Sequence, residues 1–280
     1  MKDEWVPTRD ELHRWRQVGD QPADDLIAEL FDRHGHEGVG QLMQALLDTE
    51  WVGESEAGRE AKAFLLAERK SAADEGLAPD PEDFESTVEA GQAVFAEHGP
   101  EIMLILGCYS LPAAYAAANG VQVLRQTDYL TKMPDRRLVE TAQIIVDVMQ
   151  PGGLKPDGIG ARSAEKTRLM HAAIRHLIVH RPDHPWDAEQ LGVPINQEDM
   201  AATLMTFCYI VIDGLDRMGV TTTAEEKASY LAAWREVGRI MGVVPELLPD
   251  TFEQAEQLTR AIQADQVLGA DVPPDDPRWA

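Results

Sequence analysis

The stretch from Lys166 to Leu177, KTRLMHAAIRHL, decides the fold more than any other part of the chain. Its pattern predicts a helix, and at about 100° per residue Arg168, His171 and Arg175 lie at roughly 0°, 300° and 340° around the helix axis. One imidazole therefore lies between two guanidinium groups on one face, and the leucines and alanines are left for packing elsewhere. Two cations beside a histidine repel each other unless an anionic group lies with them.

An anionic ligand that also carries a metal would suit this face. Neutral imidazole is an ordinary ligand of haem iron, and arginine binds carboxylates through paired hydrogen bonds. The leading hypothesis is therefore a haem, with His171 on the iron and with Arg168 and Arg175 near the propionates. The alternative is an ordinary basic helix face whose cations pair with carboxylates of the chain.

Size and charge limit the classes of function. The chain has 280 residues, of which 44% are hydrophobic, so it can bury a large core. Its net charge of −24 argues against binding to nucleic acid or to anionic lipid. The apolar runs are too short to cross a bilayer, and the acidic start MKDEW lacks the apolar core of a signal peptide, so we expect a cytoplasmic protein without membrane insertion.

Apolar residues recur at helical spacing along most of the chain, and no segment alternates as a strand would. The pattern predicts a single all-α domain of about ten helices over residues 25–264. Residues 1–24 are expected to be an N-terminal extension, and the acidic, proline-containing residues 265–280 a disordered tail. The nearly apolar segment 101–118 is predicted to lie in the middle of the domain, covered on all sides and interrupted at Pro112.

A second polar group lies on another predicted helix, at Arg137, Glu140 and Thr141. At about 0°, 300° and 40° around the axis these side chains share a face. They are either a local ion pair on an exposed surface or the opposite wall of the ligand pocket. In the second case Glu140 would act as an acid or base, and Thr141 would donate a hydrogen bond to a bound oxygen species.

Other metal-binding residues give weaker signals. Cys108 and Cys208 each lie in an apolar run and are expected to be free and buried, with a thiolate ligand to haem as the alternative. His176 and His180 have a spacing that can bind zinc, but the HExxH pattern of zinc hydrolases is absent.

Four motifs together resemble a known family. They are Arg137 with Thr141, RLMHAAIR from Arg168 to Arg175, PINQ from Pro194 with Asp199 and Thr203, and Trp234-Arg235 with Gly238 and Met241-Gly242. In this order they resemble the latex-clearing (rubber oxygenase) family, and more broadly the MpaB-type oxygenases, over roughly residues 25–260.

The resemblance implies a globin-like helical bundle around a non-covalent b-type haem. It makes His171 the proximal ligand with Arg168 and Arg175 beside it, and places Arg137 and Thr141 on the other side of the pocket. The rubber-cleaving members carry a lysine where this chain has Glu140, which argues against polyisoprene as the substrate but not against haem binding.

The function expected from the resemblance is therefore a haem-dependent oxygenase that uses O₂ on an apolar, isoprenoid- or lipid-like small molecule. Its catalytic residues would be Glu140, Arg137 and Thr141. The pocket is expected to be lined by apolar side chains, namely Leu104, Leu111, Ile144, Ile145 and Met205. Two alternatives stay open: a non-catalytic haem protein for gas sensing or haem carriage, and a helical protein without a cofactor.

Overall fold

The computed structural model describes residues 5, 7–47, 55–116, 120–126 and 134–266. The described residues form helices, turns and loops without a strand, so the all-α prediction is confirmed. The principal helices are α1 (Arg9–Trp15), α2 (Gln21–Leu47), α3 (Glu56–Asp74), α4 (Ala90–Ile105), α5 (Leu111–Tyr115), α6 (Gly120–Gln126), α7 (Pro134–Met149), α8 (Ile159–Val179), α9 (Gln197–Phe207), α10 (Tyr209–Arg217), α11 (Ala224–Ile240) and α12 (Phe252–Gln266).

Several helices begin at a capping side chain. The side chain of Asn196 accepts a hydrogen bond from the Asp199 amide ahead of α9, and Thr223 forms a reciprocal capping box with Glu226 ahead of α11. α2 is kinked at Gly35, whose φ of 64° is open to glycine and strained for other residues. Local chemistry therefore accounts for these helix starts and for this kink.

The helix that carries His171 lies at the centre of the packing. α8 packs against α2, α7 and α11. Its apolar residues Leu169, Ala172 and Ala173 join a core cluster with α2 and α3, whereas a larger cluster is built mainly from α4, α7 and α9 to α12. The helix is therefore fixed from several sides, which is a good support for a functional side chain.

The apolar segment 101–118 is not covered on all sides, contrary to the prediction. Leu104 is 54% exposed, and Tyr109 and Tyr115 are also exposed. The segment is interrupted by a π-helical turn over Leu106–Ser110, just before Pro112, and its buried side packs against helices that include α9, α10 and α11. Cys108 is exposed and free, so its expected burial is wrong, whereas Cys208 is buried and free as predicted.

Contacts of the described residues near both predicted domain boundaries are as follows. Leu12 of α1 is buried in the larger core cluster, and Asp24 lies within the first turn of α2. Asp265 and Gln266 end α12, and Asp265 pairs with Arg16. The rest of the predicted tail, 267–280, lies outside the described residues.

Within the described ranges, none of the helices combines the length and the apolar character that a bilayer crossing requires.

Candidate functional site

The guanidinium group of Arg168 is buried and bound by two carboxylates of the chain. Its Nε and Nη2 donate to Asp20 at 2.6 and 2.9 Å, and Nη2 also donates to Glu68 at 2.9 Å. Arg168 is 6% exposed. Burial acts to lower its pKa, but Asp20 and Glu68 outweigh burial and the pKa is raised, so Arg168 stays a cation.

Two turns enclose this ion pair. A Cβ atom on Gly242 would lie 2.4 Å from Oδ2 of Asp20 and 2.7 Å from Nε of Arg168, so a larger residue would push the pair apart. The buried amide of Gln197 donates to the carbonyls of Gly19 and Gly242, at 2.9 Å each, and accepts from the Val244 amide at 2.9 Å. The PINQ and Met241-Gly242 motifs therefore meet at the Arg168–Asp20 pair.

Arg175 is equally buried but differently bound. It is 3% exposed; its Nε donates to Asp24 at 2.7 Å and its Nη1 donates to the carbonyl of Ile195 at 2.9 Å. Its Nη2 is buried and has no hydrogen-bond partner among the described residues. Burial raises the pKa of Asp24, Arg175 opposes that rise, and the neighbouring Asp20 adds to it.

His171 is half-buried on α8, between the two arginines in sequence and on their face of the helix. Arg168 binds Asp20, just before α2, and Glu68 on α3, whereas Arg175 binds Asp24 on α2 and the carbonyl of Ile195 in the loop before α9. An anionic group was expected beside these cations, and at Arg168 the protein supplies it through Asp20 and Glu68. At Arg175 the donor Nη2 has no hydrogen-bond partner among the described residues.

α7 and α8 form an antiparallel pair that brings the two predicted walls to similar heights. Gly160 lies against the backbone of Asp147 and Val148, where an added Cβ would be 2.4 Å from the Asp147 carbonyl. From this contact His171 lies about 16 Å along α8 and Glu140 about 12 Å along α7. Thr141, the neighbour of Glu140, is half-buried.

Glu140 forms a surface ion pair, but with a different arginine from the one predicted. It is 43% exposed at its side chain and accepts from Nε of Arg136 at 2.7 Å. This is an i, i+4 pair along the helix, the usual partner spacing. Arg137 belongs to α7, and its side chain lies outside the described residues.

The five predicted lining residues differ in exposure. Ile145 and Met205 are buried in the larger core cluster, whereas Leu104 is 54% exposed. Leu111 and Ile144 are half-buried. Their role as pocket walls stays a prediction.

A groove of about 540 Å³ lies elsewhere, between α10, α11 and α12. Aromatic and acidic side chains line it, among them Tyr209, Phe252, Asp213 and Glu253. None of its lining residues is a predicted site residue.

Two of the remaining histidines, His176 and His180, lie in a stack of rings. His176 stacks on Phe31 with ring centroids 4.2 Å apart, and on His180 at 4.1 Å. Among the residues that the structure describes, no three histidine, cysteine, aspartate or glutamate side chains are grouped closely enough to hold a metal ion. This finding does not favour the zinc alternative.

Comparison with known proteins decides the family. The family described as "ER-bound oxygenase mpaB/B'/Rubber oxygenase, catalytic domain" matches residues 92–277. The chain belongs to this family. The resemblance read from the four motifs is therefore confirmed.

Individual members of the family are distant. A rubber oxygenase from Streptomyces sp. (strain K30) is 27% identical over 126 residues, which cover 45% of this chain and 31% of that protein. The match thus spans about a third of the length of this relative. A structure of latex clearing protein in its closed state superposes with a TM-score of 0.70 at 21% identity, covering 93% of this chain and 67% of that chain, and it shows a shared fold.

The sequence analysis did not predict the acids that bind the two arginines. Asp20, Asp24 and Glu68 all precede the segment matched by the family, residues 92–277. One signal was present: Asp20 and Asp24 are spaced i, i+4 and so share a helix face, as Arg168 and Arg175 do at i, i+7. Only the packing of α2 on α8 turns these two spacings into ion pairs.

Proposed function

We propose that the chain is a haem-dependent oxygenase that uses O₂ on an apolar, isoprenoid- or lipid-like molecule, with His171 as the ligand of the iron. The observation that carries the proposal is the pairing of a half-buried imidazole with a buried, partly unsatisfied arginine on one face of a firmly packed helix. Membership of an oxygenase family supports the class of reaction.

The residues present fit a b-type haem in two respects. His171 offers an imidazole, the common protein ligand of haem iron, and Arg175 offers a buried Nη2 that lacks a partner among the described residues. A propionate is a carboxylate and would complete that guanidinium. Arg168 is different, since Asp20 and Glu68 already bind it, and we assign it to holding α8 in place rather than to the ligand.

The haem would supply the binding and activation of O₂, which no side chain of this protein can provide. The protein would hold the haem, orient it and move protons beside it. We assign these tasks to His171 and Arg175 on α8, and to Arg137, Glu140 and Thr141 on α7. Glu140 would accept a proton at its carboxylate, and the Thr141 hydroxyl would donate a hydrogen bond to an oxygen of the reacting molecule.

Oxygen uptake tests the catalytic part of the proposal. Haemin-loaded protein is mixed with squalene, an apolar alkene, in a sealed oxygen electrode. We expect uptake that depends on the alkene and that falls about a hundredfold in Glu140→Gln, because general acid–base groups contribute that order of rate. Reversible O₂ binding without alkene-dependent uptake would instead support a gas-sensing or haem-carrying protein.

A matched control lies one turn along the same helix. Gln143 is exposed on α7, and its amide donates to Asp147 at 2.7 Å. Gln143→Ala also alters a polar side chain of α7, and it should leave oxygen uptake unchanged. Equal losses in both variants would contradict the role of Glu140.

A further inference from the structure

Arg175 is held by two different partners, and only two of its three guanidinium nitrogens are used. Nε is bound by Asp24, Nη1 by the Ile195 carbonyl, and Nη2 is buried without a hydrogen-bond partner in the described part of the chain. A buried guanidinium donor normally has a partner, because burial removes its hydrogen bonds to water and an unpaired donor does not regain them. Its position one helical turn after His171 places this donor beside the proposed haem.

The carbonyl that holds Nη1 comes from a strained residue. Ile195 has φ = 51°, in the left-handed region that β-branched residues avoid. A conformation of this kind is unfavourable for a β-branched residue and persists where the surroundings enforce it. Here the next residue, Asn196, is buried and caps α9, and its amide donates to the Val193 carbonyl at 2.9 Å. The strain thus points the Ile195 carbonyl at Arg175.

Asp24 is the one carboxylate bound to Arg175 within the described residues, and its side chain keeps 28% exposure. It lies outside the segment that the family matches. Crowding also fixes it, since a Cβ on Gly19 would lie 2.6 Å from its Oδ2.

We propose that Asp24 and the Ile195 carbonyl hold Arg175 so that its Nη2 faces a carboxylate of the bound ligand, which makes Asp24 a positioning residue that sets the preference of the site for an anionic porphyrin. The inference rests on the proposed function. Asp24 acts in two ways: it orients the guanidinium through Nε, and its negative charge partly cancels that of Arg175.

The two actions are separated by two substitutions. Asp24→Asn keeps an oxygen that accepts from Nε but removes the charge, so Arg175 should attract a ligand carboxylate more strongly. Asp24→Ala removes the acceptor as well, so Arg175 should lose its orientation. A merely structural role would move both variants in the same direction.

The test compares binding of haemin with binding of haemin dimethyl ester, which lacks the carboxylates. Both are titrated by absorbance into the cofactor-free protein. We expect wild type to prefer haemin by about tenfold, the order of one charge-assisted hydrogen bond. The preference should increase several-fold in Asp24→Asn, decrease in Asp24→Ala, and approach one in Arg175→Gln.

Asp25→Asn is the matched control. Asp25 is the next residue of α2, is exposed, and accepts from Gln21 rather than from an arginine. It carries the same charge change, so an equal increase in Asp25→Asn would attribute the effect to net charge and overturn the proposal. If Asp24→Ala does not fold, as checked by thermal unfolding without cofactor, the Asp24→Asn and Arg175→Gln results decide.

The outcomes separate this inference from the function on which it rests. If wild type binds neither porphyrin, the proposed function fails and this inference fails with it. If wild type binds both porphyrins equally well, the haem proposal stands and the inference is overturned. If the Asn and Ala variants change the preference in the same direction, the positioning role is contradicted.

Discussion

Arg168 and Arg175 lie two turns apart on one face of the same helix, yet their surroundings differ. Arg168 is bound by two carboxylates, and the turn at Gly242 closes over it. Arg175 is bound by one carboxylate and one carbonyl and keeps a buried donor without a described partner. The difference supports the proposal that Arg168 anchors the helix and that Arg175 binds the ligand.

The comparison predicts that breaking the Arg168 pair costs more stability than breaking the Arg175 pair. Asp20→Asn leaves a buried guanidinium with Glu68 as its remaining acid, and removing one partner of a buried pair costs about 3 to 5 kcal/mol. Asp24→Asn should cost clearly less, because Asp24 is partly exposed and Arg175 keeps its carbonyl partner. Urea unfolding of the cofactor-free proteins measures both.

Equal losses of unfolding free energy in Asp20→Asn and Asp24→Asn would contradict the difference between the two arginines. The matched Asp25→Asn variant, on the same helix but away from both arginines, should unfold like wild type.

A second prediction concerns the turn that encloses the Arg168 pair. Gly242→Ala should destabilise the fold by about 2 to 3 kcal/mol, because it adds a strained backbone to a Cβ that collides with Asp20. Gly219→Ala is the control, since Gly219 has a similar φ of 83° but open space around its Cβ position. It should show only the backbone cost of a left-handed conformation, about 1 kcal/mol.

The two glycine variants therefore isolate the contact with the ion pair. If chemical denaturation shows the same loss of unfolding free energy in both variants, Asp20 and Arg168 can shift without an energetic cost. Arg168 would then not hold the helix rigidly in place.

A third prediction concerns Asp199, a carboxylate that lies beside an ion pair but does not form one among the described residues. Arg16 binds Glu198 at 2.7 and 2.8 Å, and the adjacent Asp199 has its pKa raised to about 7, mainly by burial and then by Glu198. The folded state thus keeps a proton that the unfolded state loses near pH 4, so stability should fall as pH rises from about 4 to about 7.

Asp199→Asn should remove that loss. The variant should be more stable than wild type at pH 8 by on the order of 1 to 2 kcal/mol, and the advantage should vanish near pH 4. Thermal unfolding over this pH range tests the sign, and a variant that is less stable at pH 8 would contradict it.

The smallest effect on stability is expected on α7. Glu140 is exposed and paired with Arg136, and such helical pairs contribute about 0.2 to 0.5 kcal/mol. Glu140→Gln should therefore unfold almost as wild type does, by the same urea assay, even though we expect it to lose oxygen uptake. A loss above 1 kcal/mol would mean that Glu140 supports the fold, and its activity could then not be separated from stability.

The elements that local chemistry controls were predictable from the sequence. Helical spacing gave α8 and its polar face, and the caps at Asn196 and Thr223 follow from residues three positions apart. The register of four short motifs gave the family. Each of these signals lies within a short stretch of the chain, so no knowledge of packing is required to recognise it.

The partners of the site could not be predicted in the same way. Asp20 and Asp24 lie about 150 residues before the arginines that they bind, and one helical spacing gives no information on which distant helix faces it. The same limit explains why Leu104, which was expected to be covered with the rest of segment 101–118, is exposed. Long-range pairing depends on how helices pack, and local periodicity does not encode it.

Haemin titration of wild type and His171→Ala tests the central claim most directly. We predict that wild type gains a Soret band that saturates at one haemin per chain. In His171→Ala the band should be lost, or should shift to the position seen for weakly bound haemin. His176→Ala, one residue beyond Arg175 on α8, should behave like wild type. A wild-type protein that gains no band, or a His171→Ala variant with an unchanged band, would contradict the account.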